Sequence, residues 1–108
     1  MNTTVSSGIY SDLAVDPDLA ELVDLFVAEV PNRIEQLTSA AATDDWEGVR
    51  RVAHQMKGAA GSYGFSPVTT VAARVEDSIR TGCEEATLRM AVADLEQICS
   101  LMRSGMPA

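Results

Sequence analysis

In WEGVRRVAHQMKGAAGSY, residues 46–63, the apolar residues Trp46, Val49, Val52, Ala53, Met56, Ala60 and Tyr63 recur at three- and four-residue steps. That is the spacing of one face of an α-helix. With His54 set at zero and about 100° per residue, they fill an arc from roughly 160° to 280°. The chain's only histidine therefore lies nearly opposite the buried stripe. Within about 60° of it fall Glu47, Arg50, Arg51, Gly58, Gly61 and the only lysine, Lys57. This second face is polar, basic and, past Lys57, bare of side chains.

A glycine costs about 1 kcal/mol relative to alanine in a helix interior, so two on the histidine's own face need a reason. Either the helix ends near Lys57 and GAAGSYG is a loop, or small residues here let another macromolecule's backbone approach His54. Ala60 and Tyr63 stay in phase with the stripe, which favours a helix carried on to Gly64, a residue suited to closing it. A neutral imidazole nitrogen is a good nucleophile and can form a covalent intermediate. Lys57, one turn on, offers an ammonium to negative oxygens, and Arg50 and Arg51, one turn before, add positive potential. Together they describe a place where a phosphoryl group could sit on His54.

Working outward, TDDW supplies the helix start, with Asp44 as cap and Glu47 three residues later in a capping-box pattern. Upstream, Asp16 is expected to cap a helix that opens with Pro17, with Asp18 and Glu21 in its positive first turn. Its stripe of Leu19, Leu22, Val23, Phe26, Val30, Ile34 and Leu37 runs through Pro31, so one long helix, kinked there, is expected to end near Ala42. Downstream, Ser66 is expected to cap a helix with Pro67 at its first position and a stripe of Val68, Val71, Ala72, Val75 and Ile79, ended by Thr81 and Gly82. A last helix from about Glu84 to Ser104 places Leu88, Ala91, Val92, Leu95, Ile98, Cys99 and Met102 on one face. Turns of a few residues make sequential helices antiparallel neighbours. The expected fold is all-α, an up-down-up-down antiparallel four-helix bundle over residues 16–104. A partly ordered segment, residues 1–15, docks through Ile9, Tyr10 and Leu13, and a flexible tail covers 105–108.

The chain has 108 residues, enough for one domain with its own core. A net charge of −8 argues against nucleic acid and anionic membrane surfaces and leaves a protein partner as the default. Five of the eight basic residues nevertheless lie between Arg50 and Arg80. No apolar run reaches the ~20 residues of a membrane span. Two cysteines, Cys83 and Cys99, with no leader-like segment before them, point to a reducing cytosol without a structural disulfide. Cys99 fits a buried stripe, and neither cysteine is assigned a role. The start Met and loose tail favour a free-standing protein, and monomer is the default.

Read as a string, HQMKGAAGSYG resembles the signature of histidine phosphotransfer (Hpt) domains: His, any residue, Leu or Met, Lys, Gly, two small residues, and Gly ten positions after the His. Those places are His54, Met56, Lys57, Gly58, Ala59, Ala60 and Gly64. LVDLFVAEVPNRIEQL resembles the family's first long helix, DDWEGVRRVAH its lead-in to the histidine and VAARVED the following helix, so the resemblance covers about residues 9–104. It implies a four-helix phosphorelay intermediate in which His54 accepts a phosphoryl group from a receiver-domain aspartate and passes it to another receiver. In that reading Lys57 steadies the phosphoryl oxygens, Gly58 clears room for the receiver and Gly64 closes the helix. Glu76 matches a place where the family often has Glu or Gln able to orient the imidazole, and Arg80, one turn later, becomes a partner or phosphate contact. Arg50, Arg51 and Gly61 join the partner-facing set. The resemblance implies receiver domains and a hybrid sensor histidine kinase as partners, a cytoplasmic location, and no ATP, metal or other cofactor, since Mg²⁺ sits in the receiver.

An autophosphorylating kinase is disfavoured because the chain has no Gly-rich nucleotide loop. The dimerisation helices of sensor kinases follow their histidine with an acid and a downstream proline, where this chain has Gln55 and Met56-Lys57. One histidine and two distant cysteines do not make a metal site. The competing reading is a helical adaptor that binds a signalling protein through the His54 face without carrying phosphate.

Overall fold

The computed structural model describes residues 8–106; the expected segment and tail residues 1–7 and 107–108 lie outside the described residues. Four helices follow in order: α1 (Pro17–Ala42), α2 (Trp46–Ser62), α3 (Ser66–Arg80) and α4 (Glu85–Cys99). Their contacts form a ring in which α2 against α3 is the closest pairing and α1 against α4 the loosest. This is the all-α four-helix bundle that the helical periodicities predict.

The helix ends show where local chemistry and tertiary context diverge. Asp16 caps α1 by accepting from the Asp18 N–H at 2.9 Å, and the helix continues through Pro31 without interruption. At α2 the cap is Asp45, whose Oδ1 accepts from Gly48 N–H at 3.0 Å, not the expected Asp44. Asp44 instead adopts φ 58°, a conformation that short polar side chains tolerate, and is held by Arg89 at 2.6 Å. Arg89 also lies 5.0 Å over the Trp46 ring, which ties α4 to the α1–α2 turn. The glutamate expected to complete a capping box, Glu47, is hydrogen-bonded to Arg50 instead. Ser66 is the first residue of α3 rather than its cap; Phe65 takes the cap position with no side-chain hydrogen bond.

The α2–α3 turn is a Schellman motif: Gly64 N–H reaches Gly61 O at 3.4 Å and Phe65 N–H reaches Ala60 O at 2.8 Å. The motif needs a left-handed residue, and Gly64 supplies φ 82°. A side chain at Gly64 would also overlap Ser11 Oγ, because the N-terminal segment crosses this turn. Ser11 donates to Tyr63 O, and Asp12 N–H donates to Gly64 O at 3.1 Å. Phe65, buried from solvent, and Tyr63 then pack on Phe26 of α1, with ring centroids 6.0 and 4.8 Å away.

The last helix stops at Cys99, five residues short of the expected Ser104. The chain turns and forms a short strand, β2 (Met102–Arg103), parallel to β1 (Ile9–Tyr10), with Ile9 opposite Met102. Met102 is buried as its place in the stripe predicts, but in a strand; backbone pairing with a distant segment outcompetes another helical turn. The α1 stripe is also narrower than expected. Val23, Phe26, Val30 and Leu37 are buried, Leu19 and Ile34 are half-buried, and Leu22 is 47% exposed.

Candidate functional site

His54 sits in the second half of α2, whose inward residues Val49, Ala53, Met56 and Ala60 are inaccessible to solvent. This packing fixes the helix rotation, so the opposite face must point outward, and the His54 side chain is 61% exposed. The helix runs on to Ser62, which removes the loop alternative for GAAGSYG. Gly58 therefore lies on a true helix surface, and a Cβ built there meets nothing within 4 Å. At Gly61 a Cβ would stand 3.5 Å from Thr69 Oγ1, an ordinary contact. Neither glycine is demanded by packing within the chain.

Beside this open face, α3 brings Glu76 up against α2. The close approach follows from small residues: Ala53 and Ala60 on α2 and Ala72 on α3 are fully buried. Glu76, 13% exposed, meets three basic groups of α2. His54 Nδ1 lies 2.8 Å from its Oε2, Lys57 Nζ 2.8 Å from its Oε1, and Arg50 Nη1 3.7 Å from its Oε2. Oε1 receives no well-directed hydrogen bond and is balanced by the Lys57 charge. Burial alone would raise the Glu76 pKa; the Lys57 ammonium, followed by the His54 contact, outweighs it and holds the carboxyl below the usual range.

The ionised carboxylate can only accept hydrogen bonds. In the neutral imidazole the 2.8 Å contact therefore assigns the single ring proton to Nδ1, which leaves Nε2 with a free lone pair. Among the described residues Nε2 has no hydrogen-bond partner. The arrangement is a fixed nucleophilic nitrogen on an exposed surface, with cationic groups on its α3 side.

The remaining basic residues divide. Arg50 is mainly engaged by Glu47, with Nε to Oε1 at 3.0 Å and Nη2 to Oε2 at 2.5 Å. Arg51 is exposed and makes no ion pair among the described residues. Arg80 pairs with Asp77 and touches none of Arg50, His54, Lys57 or Glu76, so the fold does not bring it into the cluster. Two features escaped the sequence reading. Thr69 Oγ1 donates to Lys57 O at 3.4 Å, a contact with no pattern in the sequence. Leu22 and Leu25, 47% and 64% exposed, edge a shallow groove with Ala59 of α2 and with Tyr63 just past its end. Their offset from the Val23–Phe26–Val30 line was the available signal.

The family model for the Hpt domain matches residues 21–105. The chain belongs to the Hpt domain family. The match spans His54, Lys57, Gly58 and Glu76 and all of α2, α3 and α4, while β1 lies before it. No curated protein and no solved structure matched the chain. Hpt domains are phosphocarrier modules of two-component systems, not kinases, and they interact with receiver domains and kinases in phosphorelays. Among the described residues no helix is long and apolar enough to cross a membrane, and no group of three or more His, Cys, Asp or Glu side chains could hold a metal ion.

Proposed function

We propose that this Hpt protein accepts a phosphoryl group on His54 Nε2 from the aspartyl phosphate of a receiver domain and relays it to a second receiver. The observation that carries this reading is the contact of His54 Nδ1 with the ionised Glu76 carboxylate, which leaves Nε2 free on an exposed, glycine-lined face. In the loading step the Nε2 lone pair attacks phosphorus in line, the aspartyl O–P bond breaks and the electron pair leaves with the carboxylate. Nε2 carries no proton to lose, and the Nδ1 proton stays hydrogen-bonded to Glu76. Relay to the next receiver reverses these movements, with neutral imidazole leaving.

Catalysis of such a transfer is mostly positioning and charge stabilisation. Lys57 is the group assigned to the phosphoryl oxygens. Gly58 and Gly61 admit the partner's active-site edge, and Arg50, Arg51 and Arg80 present positive charge to its acidic surroundings. Mg²⁺ would come with the receiver, and the domain works as a cytoplasmic monomer that draws phosphate from a hybrid sensor kinase. Gly64 has a structural part, closing α2.

The test is transfer of labelled phosphate from a phosphorylated receiver. Acid-labile, alkali-stable label on wild type and none on folded His54→Gln is the expected result. A receiver that binds wild type and His54→Gln alike, with no label on either, would replace the relay with the adaptor reading.

A further inference from the structure

Arg50 stands between two carboxylates of unequal exposure. Its Nε and Nη2 are bound to Glu47, 61% exposed, while Nη1 waits 3.7 Å from Glu76 Oε2, 13% exposed. Water screens the first pair and screens the second much less, so a cation gains more at Glu76. The nearer cation on that carboxylate is at present Lys57, 2.8 Å from its other oxygen, Oε1. In this state the charges of Glu47, Glu76, Arg50 and Lys57 cancel.

A phosphoryl group on Nε2 would bring roughly two further negative charges to the cluster. Lys57 is one helical turn from His54 and cannot serve both Glu76 and the phosphoryl oxygens at full strength. Were it simply to leave, a mostly buried carboxylate would lose its principal counter-ion, an expensive outcome. A replacement is already within reach.

We infer that Arg50 is a positioning residue for the phosphorylated state: it shifts from Glu47 onto Glu76 and so releases Lys57 to the phosphoryl oxygens. The inference rests on His54 carrying phosphate as proposed above. Nη1 has to close by only about 0.8 Å to reach hydrogen-bonding distance, and the exposed Glu47 carboxylate it leaves is readily rehydrated. Arg50 makes no contact with phosphorus in this scheme; it acts through Glu76 and Lys57.

Phosphoramidate tests this without a receiver. Nε2 attacks its phosphorus, the reagent's P–N bond breaks, and ammonia departs from the protonated nitrogen. Two readouts follow loading: the Arg50 Nε–H resonance, and the half-life of phosphorylated His54. With no receiver present to complete the transfer apparatus, a cation on the phosphoryl oxygens holds the bound group by a charge-assisted contact, so the half-life of the resting phosphohistidine reports the release of Lys57.

Loading should move the Arg50 resonance in wild type but not in Glu76→Gln. Arg50→Ala should shorten the half-life about threefold, Arg50→Lys should restore part of it, and Glu47→Gln, which frees Arg50, should lengthen it. In a Glu76→Gln background Arg50→Ala should have no further effect, since the coupling runs through that carboxylate. An unmoved Arg50 resonance, or equal shortening by Arg50→Ala with and without Glu76, overturns the inference and leaves the relay intact. Wild type that takes label neither from phosphoramidate nor from receivers overturns the relay itself.

Discussion

The α2–α3 and α1–α4 seams lie on opposite sides of one bundle and are built differently. Between α2 and α3, alanines alternate with Val and Met, the helices approach closely, and a charged cluster is held on the outer edge within 2.8 Å contacts. Between α1 and α4, around Pro31, the helices leave a cavity of about 470 Å³ lined by Val27, Val30, Ile34, Cys99 and Met102 among others. Burial there pushes the Cys99 thiol up to about 12, so it behaves as an apolar side chain. The contrast teaches that the side presenting the reactive nitrogen carries the tight packing. In the relay proposed for His54, a nucleophile that meets phosphorus in line would gain from a rigid support, and the far side would face no such demand.

Gly64→Ala should break the tight side most severely. The left-handed φ and the overlap with Ser11, Asp12 and Leu13 together should cost about 2–4 kcal/mol. Urea denaturation would show it as a lower midpoint, and a loss under 1 kcal/mol would mean that the α2–α3 turn is more pliable than its geometry indicates.

One substitution made on each seam sharpens the comparison. Val75→Leu, at a position 1% exposed on α3, should destabilise by about 1–3 kcal/mol through overpacking. Val30→Leu points an added methylene at the α1–α4 cavity and should be neutral or stabilising by up to about 0.8 kcal/mol. Thermal unfolding of both variants should give opposite signs. The same sign for both would erase the distinction between the seams.

Gly58→Ala should stabilise α2 by about 1 kcal/mol, since its Cβ meets nothing, while slowing phosphoryl transfer from a receiver. A variant that is both more stable and fully active would remove the clearance role from this glycine.

The smallest effect is the pH dependence of Glu76. Its folded pKa is depressed, so at mild acidity the unfolded chain binds the proton more readily. The stabilisation is therefore complete above the ordinary carboxylate value and is lost as pH falls through the lowered folded value. Urea midpoints should show wild type losing its advantage over Glu76→Gln below about pH 4.5; a gap that widens towards acid would contradict the ion pairing at this carboxylate.

Much of this organisation was legible beforehand. The four apolar stripes, the Asp16 cap, the glycine closures and the outward face of His54 all follow from spacing, because helical periodicity dictates which side chains share a face of their own helix. Several departures from that reading trace to tertiary contacts. The cap at α2 passed from Asp44 to Asp45 because Arg89, far along the chain, holds Asp44 in a left-handed turn. The end of α4 became a strand because β1 offers it backbone partners. Leu22 proved exposed because the contacts of α1 with its neighbours set how wide a stripe is covered.

The same division runs through the site. Residue spacing alone put His54, Arg50, Lys57 and the two glycines on one face, and that face follows from the rise and twist of the helix. The resemblance had already set Glu76 beside the imidazole, where the structure has it; only the tertiary structure made it a common partner of Lys57 and Arg50 as well, left Arg50 between two carboxylates and set Arg80 apart. A sequence encodes azimuth about each helix axis, but which charges meet across two axes depends on how closely those helices pack. Here the buried alanines of α2 and α3 allow the approach that brings the carboxylate to the histidine.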